Sequence, residues 1–156
     1  MCKAIFKFGL FFLVILLLDQ FIKQIFINGF RWNGEFFSLI LTYNKGVAFS
    51  MFAFLEENLK YIQICIITLL LVYFIYQKKF FMQFPALIGI LIGAGSSNLL
   101  DRFIHGGVVD YVFWHKWFEF AVFNFADVMI NISVGLILLI EIFSKKKDKN
   151  CKKISI

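Results

Sequence analysis

Apolar residues fall into four long runs, at about residues 4–27, 59–76, 80–100 and 124–143. Each run is long enough to cross a hydrocarbon layer of about 30 Å as a helix. The first could be read as a secretory signal peptide. Its apolar stretch is long, no small-x-small site follows it, and Asp19 and Lys23 sit near its end, so an uncleaved span is expected. Gln77-Lys78-Lys79 predicts a tight basic turn before the third run, with Pro85 in the first turns, where proline is tolerated. Gly89, Gly93, Ala94, Gly95, Ser96 and Ser97 form a small-residue face that lets another helix approach closely.

Two mixed stretches separate the runs. In residues 28–58, Asn28-Gly29 and Asn33-Gly34 are turn signals, and Glu35 to Tyr43 suits a strand buried at least partly on both faces. Asn44-Lys45-Gly46 follows, then a short amphipathic helix over Met51 to Asn58 on the outer surface. In residues 101–123, Gly106-Gly107 is a turn, Val108 to Phe113 suits a strand, and Trp114, Trp117 and Phe118 suit an interfacial aromatic belt. Residues 144–156 form a tail. The expected architecture is an all-α membrane bundle of four transmembrane helices, with a small sheet and a short surface helix, in one domain over residues 1–156.

Composition agrees with a chain built among lipid. It is 61% apolar with 23 Phe, and its mean hydropathy is +0.83, far above soluble averages. The net charge of +6 does not indicate nucleic acid, because six of the 16 basic residues lie in the tail segment 145–153. A basic tail after a span is an orientation signal against anionic headgroups. Four spans put both termini on one side, with Lys3, Lys7, Lys78, Lys79 and the tail lysines. Lys23, Arg31, Lys45, Lys60, Arg102 and Lys116 are spread over the longer opposite loops. The positive-inside rule then places both termini in the cytoplasm, and Asp19, Asn44, Asp101, Asp110 and Asp127 gather at the outer surface. Cys2, Cys65 and Cys151 make no disulfide framework, and His105 and His115 stand in no metal-binding context. No metal and no cofactor is expected.

Ionisable groups beside membrane spans are expensive and by default mark function. Asp101, Asp110 and Asp127 lie within 27 positions, which suggests a paired-carboxylate site at the membrane surface. Two carboxylates held close cannot both ionise cheaply, so one keeps a proton while the other stays charged. Such a pair can deprotonate a water and protonate a carbonyl oxygen or leaving amine, hydrolysing an amide without metal, Ser or Cys. Asp127, at a helix start, suits the charged role; Asp110, after two valines in a strand, suits the neutral one. Plainer readings stay open. Asp101-Arg102 could be a solvated pair capping the third span, and Asp127 a helix-start acid. Asp19 and Lys23, four apart on one helix face, could be an ion pair snorkelling to the interface. Asn98 and Asn124 could cap backbone or satisfy buried polar groups. A small transporter or proton-conducting bundle, with the acids as relay groups, would need them spread through the membrane.

Four motifs run in order along nearly the whole chain: Asp19-x-x-x-Lys23, Asn44-x-Gly46-x-Ala48-Phe49, Asn98-x-x-Asp101-Arg102 with Gly107-Val108-Val109-Asp110-Tyr111, and Phe123-Asn124-x-Ala126-Asp127. In these the sequence resembles the lipoprotein signal peptidases (signal peptidase II). The resemblance implies four transmembrane helices with an extracytoplasmic sheet cradle and a short surface helix. It implies an aspartic endopeptidase of the bacterial inner membrane that removes the signal peptide of a prolipoprotein, cutting before a cysteine carrying diacylglycerol. Asp110 and Asp127 would be the catalytic aspartates; Asp19, Lys23, Asn44, Gly46, Asn98, Arg102 and Asn124 would line or brace the site, and Asp101 would support it. The implied partners are diacylglyceryl prolipoproteins and membrane lipid, with no nucleic acid, and the chain is expected to be a monomer. Ser97 stands where that family usually has glycine, a small-for-small exchange expected to alter packing without loss of activity.

Overall fold

The computed structural model describes residues 1–46 and 58–154. Val47, Ala48 and Phe49 of the second motif, and the surface helix expected from Met51, lie outside the described residues. Four helices are long and apolar enough to cross a membrane: α1 (Cys2–Ile27), α2 (Asn58–Tyr76), α4 (Pro85–His105) and α5 (Phe125–Ile154, its apolar part ending at Ser144). A short helix, α3 (Lys78–Gln83), fills the turn between α2 and α4.

The third span begins at Pro85, five residues after the start expected from hydropathy. Phe84, at φ −124° and ψ 38°, breaks the chain between α3 and α4. Proline crowds the residue before it out of the helical region, and its own missing N–H costs nothing at a first helical position. At the other end α4 continues to His105, so Asp101 and Arg102 occupy its last turns instead of a loop. Gly106, at φ +70°, stops it in the left-handed conformation that glycine adopts freely. The tail does not fray at residue 144 either: with no Gly or Pro to break it, its backbone stays helical to Ile154.

Helix α4 is the central helix. Ile88 and Ile92 bury against Phe74 of α2 and Ile137 of α5, and Ala94 packs with Ile15 of α1 and Ala126 of α5. The small-residue face meets α1. A Cβ on Gly89 would lie 2.5 Å from the carbonyl oxygen of Phe8, and one on Gly93 2.6 Å from that of Phe12, so only glycine admits α1 at this distance. The lipid-facing sides of α1, α2 and α5 remain apolar and exposed, as a bilayer requires.

The connecting stretches form a three-stranded antiparallel sheet in the order β1 (Trp32–Asn33), β2 (Phe37–Asn44), β3 (Val108–Trp114). Phe37 pairs with Trp114 at one end and Asn44 with Val108 at the other, with an irregularity between Leu39 and Thr42. That register sets Thr42 opposite Asp110. Gly107 lets β3 close on β2, since a Cβ there would sit 3.1 Å from the Asn44 carbonyl oxygen. The sheet thus caps one end of the bundle, the end where the acids lie.

Candidate active site

Asp19 and Lys23 share one face of α1, four residues apart, and both are fully buried (0% and 1% exposed). Burial rules out a pair snorkelling to the surface. The Lys23 ammonium spends its three N–H donors on Asp19 Oδ2 (2.6 Å), Asp101 Oδ2 (2.6 Å) and Asn98 Oδ1 (2.7 Å). A buried ammonium is tolerable only when paired and hydrogen-bonded in this way. Asp19 accepts from Ser97 Oγ (2.7 Å) and, through its other oxygen, from the Ala126 backbone N–H (2.9 Å). Asp101 also accepts from Gln20 Nε2 (2.8 Å) and from the Val109 backbone N–H (3.1 Å). One ionic cluster therefore ties α1 to α4, to the start of β3 and to the start of α5.

Asp110 and Asp127 are mounted on those two anchored starts. Asn124 joins them. Its amide nitrogen donates to Asp110 Oδ1 (2.6 Å), Asn98 Oδ1 (3.1 Å) and the Val109 carbonyl (3.3 Å). Its own oxygen accepts from the Asp127 backbone N–H (2.9 Å), and Asp127 Oδ2 accepts from the Asn124 backbone N–H (3.2 Å). This reciprocal pair satisfies two donors at the first turn of α5, as a capping box does. Asp127 Oδ1 takes a further bond from Asn98 (2.8 Å), and Asp110 Oδ2 one from Asn44 (3.0 Å). Asn44 is itself turned by accepting from the Gly46 N–H (3.0 Å), an Asx turn at the end of β2.

The two carboxyls feel each other. Burial pushes Asp110 up to about 7, and the Asp127 charge pushes it the same way; bonds from Asn44 and Asn124 and the Lys23 charge pull against this. Next in the strand, Tyr111 stacks on Phe26 (centroids 4.1 Å, 7° between planes) and accepts the Phe125 N–H at 3.0 Å. Burial raises its phenol above the ordinary value.

Both acids face a cavity of about 390 Å³ whose polar wall is Asn44, Gln63, Asn98, Arg102, Asp110, Asp127 and Asn131. Leu59, Ile62 and Ile66 of α2 and Ile130 of α5 make it apolar toward the bundle. Gly46 also lines it, whereas Asp19, Lys23, Asp101 and Asn124 stand behind the wall as its frame. The candidate site residues among the described residues are thus brought to this one end. Asp101 and Arg102 are not a solvated pair, since each is buried and bonded elsewhere. Arg102 donates from Nη2 to the Gly46 carbonyl (2.5 Å) and from Nε to Gln63 (3.1 Å). Gln20, Ser97, Gln63 and Tyr111 were not anticipated as site residues. The available signal for Gln20 and Gln63 was an uncharged amide inside an apolar run. Among the described residues no group of three His, Cys, Asp or Glu side chains could hold a metal ion.

Four spans capped by a small sheet, with two carboxyls on one apolar-backed cavity, define a multi-pass membrane protein with a paired-carboxylate site. The family model described as Signal peptidase (SPase) II matches residues 11–143. Lipoprotein signal peptidases from Campylobacter jejuni are 54% identical over 145 residues, covering 93% of each chain. That of Wolinella succinogenes is 52% identical over 143 residues, covering 92% of this chain and 98% of its own. The chain belongs to the signal peptidase II family, and with it to the membrane proteases. A solved bacterial membrane enzyme at 23% identity superimposes with a TM-score of 0.72, covering 96% of this chain and 92% of that one, and shows the same fold.

Proposed function

We propose that the chain is an aspartic endopeptidase that removes the signal peptide from diacylglyceryl-modified prolipoproteins, cutting before the lipidated cysteine. The observation that carries this is the pairing of Asp110 and Asp127 through Asn124 on the wall of one cavity. Membership in the family of lipoprotein signal peptidases supports the prolipoprotein as substrate.

The chemistry follows from the pair. A water lies between the carboxyls, Asp127 charged and Asp110 protonated. Asp127 takes a proton as the water oxygen attacks the scissile carbonyl carbon, while Asp110 gives its proton to the carbonyl oxygen. The tetrahedral adduct collapses when the proton held on Asp127 passes to the leaving nitrogen and Asp110 recovers one from the adduct's hydroxyl. Asp110's displacement to about 7 suits a carboxyl that must hold a proton near neutral pH. The lysine asymmetry supports both termini in the cytoplasm, with the sheet and site at the outer face of the bacterial inner membrane. There the apolar wall of α2 and α5 receives the signal helix. Each buried methylene of the diacyl chains adds about 0.8 kcal/mol of anchoring, which holds the cysteine beside the dyad as a monomeric enzyme works. A relay of protons through the bundle finds less support, because the acids gather at one end.

The test is purified protein in micelles with one precursor supplied in diacylglyceryl-modified and unmodified forms. The modified form should be cut before its cysteine and the unmodified form left intact. Equal cutting of both, or of neither, contradicts the proposal.

A further inference from the structure

Helix α2 turns one stripe toward α4: Leu59, Gln63, Ile67, Leu70 and Phe74. The spacing is helical and every member but one is apolar. Leucine or methionine at 63 would complete the stripe, so packing alone does not call for glutamine. A polar side chain in a span needs partners, and Gln63 has one for each end of its amide. Its Nε2 donates to the Gly95 carbonyl of α4 (2.9 Å), and its Oε1 accepts from Arg102 Nε (3.1 Å). The orientation of the amide has one solution, because a carbonyl can only accept and a guanidinium only donate. Gly95 thus aims the Gln63 oxygen at Arg102.

The choice of Nε matters. Nε and Nη2 form one edge of the planar guanidinium, and here both are held, by Gln63 and by the Gly46 carbonyl (2.5 Å). Two bonds on one edge fix the plane as well as the position of the group. The guanidinium's remaining N–H donors take no partner among the described residues, and Arg102 and Gln63 both line the cavity that holds Asp110 and Asp127. We infer that Gln63 is a positioning residue: it presets Arg102 so that its other edge meets a carbonyl of the bound substrate in register with the two aspartates. This rests on the protease reading of the site. Gln63 itself does not touch the reacting atoms and acts through Arg102.

The test compares Gln63→Met, which keeps volume and removes the acceptor, with Gln63→Glu, which keeps an acceptor for Arg102. Both are also made in an Arg102→Lys background. Cleavage of the lipidated precursor is read as kcat/KM, with melting temperature on the same samples. Gln63→Met should lower kcat/KM about 10- to 100-fold, the worth of a hydrogen bond to a charged group. Gln63→Glu should stay within about threefold of the parent, and Gln63→Met should add less than about twofold once residue 102 is lysine. Parent-like turnover by Gln63→Met overturns the inference. So does an equal loss in Gln63→Met and Gln63→Glu, or multiplication of the Gln63→Met and Arg102→Lys losses. A parent protein that leaves the lipidated precursor uncut overturns instead the protease reading, and any role of Gln63 in turnover with it. The same cycle read in melting temperature still reports whether the two side chains are coupled.

Discussion

Asp110→Asn separates two burdens on Asp110, holding a proton for the proposed chemistry and tolerating burial. Asp110 is 2% exposed, and its carboxyl is raised from 3.8 to about 7, first by burial and then by the Asp127 charge. At about 1.4 kcal/mol per factor of ten, the ionised form is less favourable in the folded protein by about 4 kcal/mol. Between these values the folded chain keeps a proton that the unfolded chain has released. Stability therefore falls as pH rises from about 4 to about 7, and the full penalty is present above that. Asparagine matches the neutral acid in shape. Its amide oxygen can still accept from one of the two amide donors, Asn44 and Asn124. The variant should thus match the parent near pH 4 and gain steadily with pH, by about 2–4 kcal/mol at pH 8. For a chain of this size that is a melting-temperature rise on the order of 5–10 °C. Cleavage should vanish, because an amide can neither hold nor return the proton. The assay is single-turnover cleavage of the lipidated precursor with melting curves from pH 4 to pH 8, and Glu141→Gln as control. Retained cleavage would refute the dyad. A pH slope identical in parent and variant would refute the burial argument, even if activity were lost.

Other perturbations test the frame and the topology. Lys23→Met leaves Asp19 and Asp101 buried without their shared cation, and breaking a buried pair costs about 3–5 kcal/mol; thermal melting should show a large loss that Asp19→Asn partly restores. Arg102→Lys offers one ammonium where Gly46 and Gln63 hold one edge of a plane, so kcat/KM should drop about 10-fold or more with melting temperature little changed, and unchanged turnover would return Arg102 to a structural charge. With the native cysteines replaced, Glu35→Cys, beside the sheet, should react with an impermeant thiol reagent added to intact cells; labelling only after lysis would invert the proposed topology.

Much of the fold was legible because a bilayer makes the rule local. A residue in a span gains by being apolar whatever its neighbours are, so run length alone located four helices, and Gly89 and Gly93 marked the face where α1 comes close. Strands β2 and β3 were legible for a similar reason, as short β-favouring stretches between turn signals. The start of α4 was not, because hydropathy does not register the break that Pro85 imposes on Phe84. The acids of the site were visible as costly groups beside spans, and their spacing put Asp19 and Lys23 on one face. Who meets whom was left to the tertiary structure. Asp101 and Arg102 are adjacent in sequence and look like a pair, yet successive residues on a helix point about 100° apart, so one joins Lys23 and the other Gly46 and Gln63. Gln20 and Gln63 carry no charge and fall in apolar runs, so nothing local distinguishes them from interruptions of the pattern. Their roles depend on partners 77 and 39 residues away, and only the packing of α1 and α2 on α4 brings those amides to Ser97 and Arg102. Hydrophobicity is a property of one residue and can be read along a chain; a hydrogen bond belongs to two, and its second member is chosen by the fold.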